Sequence, residues 1–213
     1  MTRPPRPLRL RREAWGFMIG SACFAVGAVP AYADAVGPVW SSATFFLGSI
    51  FFTLAALIQL ALSGRRPPER PLQGADAADW WSAAIQFVGT LLFNLSTAAV
   101  LVQAVASPAQ ELTGWRPDAW GSIAFLISST LALVAANRSG ELWDPLARTW
   151  HGTFLNMVGS IAFGFSAVGA YVLPATGDLR NLEWADLGTF LGAICFFLAA
   201  ALARRNTEHD APR

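Results

Sequence analysis

The side chains able to do chemistry inside the apolar parts of this chain are neutral ones. Gln86, Asn94, Ser96, Ser128, Asn156 and Ser166 interrupt long apolar runs, and Thr97, Ser129, Thr130 and Ser160 join them. Amides and hydroxyls both donate and accept hydrogen bonds. They can therefore tie helices together across an apolar medium, or line a small cavity for a neutral solute or a lipid head group. Gln86 and Asn156 each stand three residues before a glycine, at Gly89 and Gly159. That equivalence makes them the first members of a candidate polar cavity, completed by Asn94, Ser96, Ser128 and Ser166.

Ionisable groups keep to the ends of the apolar runs. Asp34, Asp118, Glu183 and Asp186 fall at one end, and Asp79 and His151 at the other. Charged residues at membrane depth mark proton relays, voltage sensors and paths for charged substrates. With none at the run centres, those classes are not expected. Asp34, Glu111, Asp118, Asp178, Glu183 and Asp186 form an acidic set on one side, read as solvated loop charges and at most a weak site for a hard cation. No histidine joins that set, so a transition-metal site is not expected. His151, beside Trp150, reads as an interfacial residue.

Covalent chemistry finds no candidate either. All 15 basic residues are arginine, which removes Schiff-base and lysine-base mechanisms. Cys23 and Cys195 each lie three residues after a glycine of the repeated motif described below and read as small, reduced core thiols, with no CxxC pair. Ser49, Ser122 and Ser160 lack a histidine and carboxylate to activate them. The sequence thus offers no catalytic, cofactor-binding or metal-binding set, and the expectation is a protein that is not an enzyme and carries no cofactor.

The elements that must position the polar side chains follow from composition. The 213 residues are 54% hydrophobic and 14% charged, where a soluble domain carries about 25% charged residues. About 20 apolar residues cross a bilayer as a helix, and six runs have that length. They are Ala14–Ala35, Trp40–Leu62, Trp81–Val105, Ala119–Ala136, His151–Leu173 and Trp184–Ala203. Residues 1–13 form a disordered Arg/Pro-rich arm, 14–203 the transmembrane domain, and 204–213 a tail. With the N-terminus in the cytoplasm, Arg116 and Arg180 alone fall outside, so the arginines place both termini inside. Trp15, Trp80, Trp81 and Trp150 then mark the inner interface, and Trp40, Trp120, Trp184, Tyr32 and Tyr171 the outer one. Ala31-Tyr32-Ala33 also resembles a signal-peptide cleavage site, but cleavage would remove a motif that recurs throughout the chain.

That motif is a glycine, a small residue, two apolar residues and a phenylalanine, with another small residue three positions on. It pairs Gly20 with Phe24, Gly48 with Phe52, Gly89 with Phe93, Gly121 with Phe125, Gly159 with Phe163 and Gly192 with Phe196. In a helix these positions share one face, a stripe suited to close helix approach in lipid. Alternate copies lie about 70 residues apart. The repeat is therefore a two-helix hairpin present three times, at 14–62, 81–136 and 151–203. The fold class expected is an all-α integral membrane protein with six transmembrane helices about a pseudo-threefold axis.

Copies such as Phe45–Phe52 (FFLGSIFF) and Phe87–Phe93 (FVGTLLF) resemble the YrhK-like bacterial membrane domain, a two-helix unit, here in three tandem copies. Hairpin number and glycine-rich helices give a weaker likeness to the HdeD-type six-helix family. The resemblance implies a multi-pass protein of the bacterial inner membrane and no particular activity. The function expected is a structural, assembly or stress-response component, with a small transporter or channel for a neutral solute as the alternative. Partners are the lipid bilayer and, through the arginines of the arm and of the loop 63–79, anionic lipids at about 1 kcal/mol per residue. No nucleic-acid partner is expected, and neither oligomeric state nor protein partners are encoded in any legible way.

Overall fold

A computed structural model of the chain describes residues 6–63, 75–106, 115–138 and 148–209, apart from 174 and 177. Among these residues the structure consists of helices α1 (Arg6–Gly27), α2 (Pro30–Ser63), α3 (Ala75–Ala106), α4 (Trp115–Arg138), α5 (Arg148–Gly169) and α6 (Leu182–His209). Five of them, α2 to α6, are long and apolar enough to cross a membrane. The chain is a helical membrane protein.

The first helix departs from expectation. The run Ala14–Ala35 is not one helix, because α1 stops at Gly27 and a new helix begins at Pro30. Proline suits a helix's first turn, where its missing N–H has no partner to lose. Its N-terminal half holds Arg6, Arg9, Arg11, Arg12 and Glu13, which leaves α1, as long as α5, too polar to join the five. A second break lies inside α2, where Gly37 has φ 79 and ψ 171 and Pro38 follows. That conformation is open to glycine and strained for other residues. The bend redirects the segment 30–36, so that Ala33 and Asp34 line the same cavity as Pro38, Ser41 and Phe45 beyond it.

Each helix packs on the next, and α6 packs back on α1, so the six close into a ring. The fifth helix ends at Gly169, short of the expected Leu173. The chain returns to α6 through an isolated antiparallel bridge between Val172 and Leu179, with Arg180 N donating to Tyr171 O at 2.7 Å. The Asn181 side chain then accepts from Trp184 N at 2.9 Å, capping α6.

The ring is apolar outside and small-and-polar inside. Leu47, Leu54, Leu95, Ile123, Ile161 and Leu187 are exposed, while Ser21, Ser49, Thr90, Ser122 and Ser160 are buried. In water this distribution would be unfavourable. In lipid the apolar face needs no cover, and small residues let backbones approach.

The motif residues form those approaches reciprocally. A Cβ on Gly20 would lie 2.6 Å from the Phe52 ring, and one on Gly48 would lie 2.9 Å from the Phe24 ring. Gly89 meets Phe125 and Gly121 meets Phe93, while Gly159 meets Phe196 and Gly192 meets Phe163. Each glycine therefore makes room for the phenylalanine of the adjoining helix. The six rings meet at the centre.

Candidate functional site

Those six rings divide the interior. Phe24, Phe93 and Phe163, from α1, α3 and α5, form one triangle with centroids 5.8 to 6.2 Å apart. Phe52, Phe125 and Phe196, from α2, α4 and α6, form a second, with centroids 5.6 to 6.4 Å apart. The triangles stack through Phe24–Phe52 at 5.5 Å, Phe93–Phe125 at 5.0 Å and Phe163–Phe196 at 5.7 Å. Edge-on and tilted arrangements dominate, as the ring quadrupoles favour. The space left between them is about 10 Å³, about the least that a single water needs. Its surroundings are nearly all aromatic carbon.

On either side of this plug lies a cavity. One, of about 290 Å³, is lined by Glu13, Gln59, Gln86, Thr153 and Asn156 together with Phe17 and Phe196. It brings together Gln86 and Asn156, the pair singled out in the sequence, and adds Glu13 and Gln59, which the sequence reading did not single out. Their signal was weak: Glu13 lies in the charged arm, and Gln59 has no polar counterpart in the other repeats. Burial pushes the Glu13 carboxyl up to about 8, with the nearby Asp79 carboxylate adding to the shift. Gln86 is 8% exposed, with its Oε1 3.2 Å from the Ser128 hydroxyl.

The other cavity, of about 540 Å³, opens at the end of the bundle where the α1–α2 and α5–α6 connections lie. Ser96 and Ser166 line it, with Ser41, Ser42, Thr97 and Thr189. So do Asp34, Asp118 and Asp186. Three acids of the set read from sequence as solvated loop charges on one side thus share one concavity. Neither their spacing nor their repeat positions signalled this, because Asp34 reaches it only through the bend at Gly37. Glu111 lies outside the described residues.

The remaining members of the expected polar cavity face elsewhere. Asn94 donates to Thr53 Oγ1 at 2.9 Å, joining α3 to α2. Ser128 donates to Ser82 O at 2.8 Å, joining α4 to α3. Further ties are Ser49 with Thr97 at 2.9 Å, Ser129 with Ser160 at 2.8 Å, and Ser166 with Thr189 at 2.7 Å. The six candidate residues therefore divide into two that line one cavity, two that line the other, and two that stitch helices together. Among the described residues, the phenylalanine plug separates the two cavities.

The exposed His151 packs edge-on against Trp150, 5.0 Å between centroids, and Trp150 stacks on Phe154 at 5.4 Å. Arg204 sits 4.6 Å over the Trp15 ring, a cation–π contact between α6 and α1. No family model, curated protein or solved structure matches the chain.

Proposed function

We propose that this chain is a six-span protein of the bacterial inner membrane, built from three YrhK-like two-helix units about a pseudo-threefold axis, with both termini cytoplasmic. In this reading α1 spans through its apolar part from Ala14, completed by the segment after Gly27. The reciprocal glycine–phenylalanine contacts within α1–α2, α3–α4 and α5–α6 support the threefold plan. Its role is non-enzymatic, as a structural, assembly or stress-response component, held to the bilayer by its apolar exterior and to anionic lipids by its arginines.

The observation that carries this reading is the phenylalanine plug. A channel needs a wetted path, and two stacked aromatic triangles around a void of about 10 Å³ leave none. Reconstitution into liposomes tests it. The expected outcome is no flux of glycerol, urea or small ions above that of protein-free vesicles. Sustained glycerol flux that disappears when Gln86 and Asn156 are both changed to Leu would overturn it.

One observation favours a second reading. Two cavities face one another across the plug, and Gln86 and Asn156 line one of them. That is the arrangement of a carrier for a small neutral solute in a closed state, with the plug as its gate. The same assay separates the two readings.

A further inference from the structure

The larger cavity combines features that neither scaffolding nor neutral-solute passage requires. Its volume, about 540 Å³, lies in the range of small-molecule sites, roughly 300–1,000 Å³. Phe24, Phe45, Phe93 and Phe163 supply aromatic wall. Three carboxyl groups, from α2, α4 and α6, line it, and no arginine or histidine lies among its lining residues.

Ser41 and Ser42 supply the independent sign. They are 9% and 8% exposed, and both line the cavity. A serine in a helix can bond back to the carbonyl one turn earlier, as Thr44 does to Trp40 O at 2.9 Å, but for Ser41 and Ser42 that turn is the break at Gly37 and Pro38. Neither Ser41 nor Ser42 makes a hydrogen bond to any described group. Both residues are nine-tenths buried, and their hydroxyls keep their hydrogen-bonding capacity for whatever enters the cavity. By contrast Thr97 and Ser166, on the same wall, are bonded to Ser49 and Thr189.

We propose that this cavity binds a protonated amine carried on an apolar body. Each alternative leaves something unmatched. An anion meets three carboxyl groups and no cation. A neutral solute leaves the carboxylates uncompensated against an aromatic wall. A metal ion needs converging ligands, and among the described residues no three His, Cys, Asp or Glu side chains are close enough to hold one. An organic ammonium fits each element. Its charge offsets part of that of Asp34, Asp118 and Asp186 without requiring them to converge on one point, its N–H groups are accepted by Ser41 and Ser42, and its apolar body packs on the phenylalanine faces, which also attract cations. The site does not depend on whether the protein conducts, so its failure would leave the closed-plug reading untouched.

The test measures binding of 2-phenylethylamine to the full-length detergent-purified protein at pH 7.5 by calorimetry, with 2-phenylethanol as the uncharged analogue. The amine is expected to bind at least tenfold more tightly than the alcohol. The variant S41A/S42A removes hydroxyls that bond to no described group, so its melting temperature should hold while amine affinity falls several-fold. D34N/D186N should lower amine affinity about tenfold or more and leave the weak binding of the alcohol unchanged. Benzyltrimethylammonium, which has the charge and no N–H, should bind more weakly than the amine. Equal binding of amine and alcohol would overturn the proposal, and so would unchanged affinity in either well-folded variant. Equal binding of the quaternary ion would overturn the assignment to a protonated amine.

Discussion

The Phe24 ring occupies the place where a side chain on Gly48 would have to go, 2.9 Å from the position of its Cβ. The relation is mutual, since Gly20 stands in the same way under Phe52. A methyl group at Gly48 would also approach the Gly20 carbonyl to 3.0 Å, so the ring cannot simply step aside. Gly48→Ala should therefore cost about 1–3 kcal/mol through overpacking, read as a lower melting temperature in detergent. Gly152→Ala is the control. A Cβ there meets nothing within 4 Å, and alanine favours a helix over glycine by roughly 1 kcal/mol. If both substitutions act alike, the crossing at Gly48 is looser than described.

Phe125 touches four other rings of the plug, those of Phe52, Phe93, Phe163 and Phe196. Phe125→Ala should cost about 3–5 kcal/mol and enlarge the void enough to admit water. Vesicles carrying the variant are then expected to leak glycerol where the parent does not. A folded variant that stays tight would show that the barrier lies elsewhere.

Glu13 gives the protein a pH dependence of definite sign. Its folded-state value of about 8 lies above the ordinary 4.5, so the folded state holds a proton that the unfolded state releases between those values. Where the native state binds more protons, stability falls as pH rises. The Glu13 contribution is therefore present below pH 4.5 and is lost progressively up to about 8. The melting temperature of the parent should decline over that window, and Glu13→Gln, which cannot ionise, should flatten the decline. Parallel profiles would remove Glu13 as the cause.

Gly37 is the hinge on which the larger cavity depends. No neighbour crowds it, yet its φ of 79 with ψ of 171 is strained for any side chain. Gly37→Ala should cost of order 1–3 kcal/mol from backbone strain alone. It should also move Asp34 and weaken amine binding more than it lowers the melting temperature of the rest of the bundle. Retained affinity in that variant would separate the cavity from the bend.

The sequence by itself determined the helical membrane class and the residues of the central contact. Apolar runs of spanning length are local, and the spacing of glycine and phenylalanine fixes which face of each helix they share. It did not determine where those runs break. Gly27 and Pro30 look unexceptional within Ala14–Ala35, which reads as a single span until the ring of helices requires a turn there, whereas Gly37 falls in the gap expected between Ala35 and Trp40. Nor did it show that the phenylalanines close the axis, because that depends on which helix each ring meets. The polar residues illustrate the limit best. Gln86 and Asn94 are both amides in α3, but the first faces a cavity and the second bonds to Thr53. Eight residues along a helix of 3.6 per turn separate them by about 80°, and only the neighbouring helices decide what each of those directions meets. The sequence put Asp34, Asp118 and Asp186 on one side of the membrane, but no spacing connects them, and only the tertiary structure brought them to one cavity.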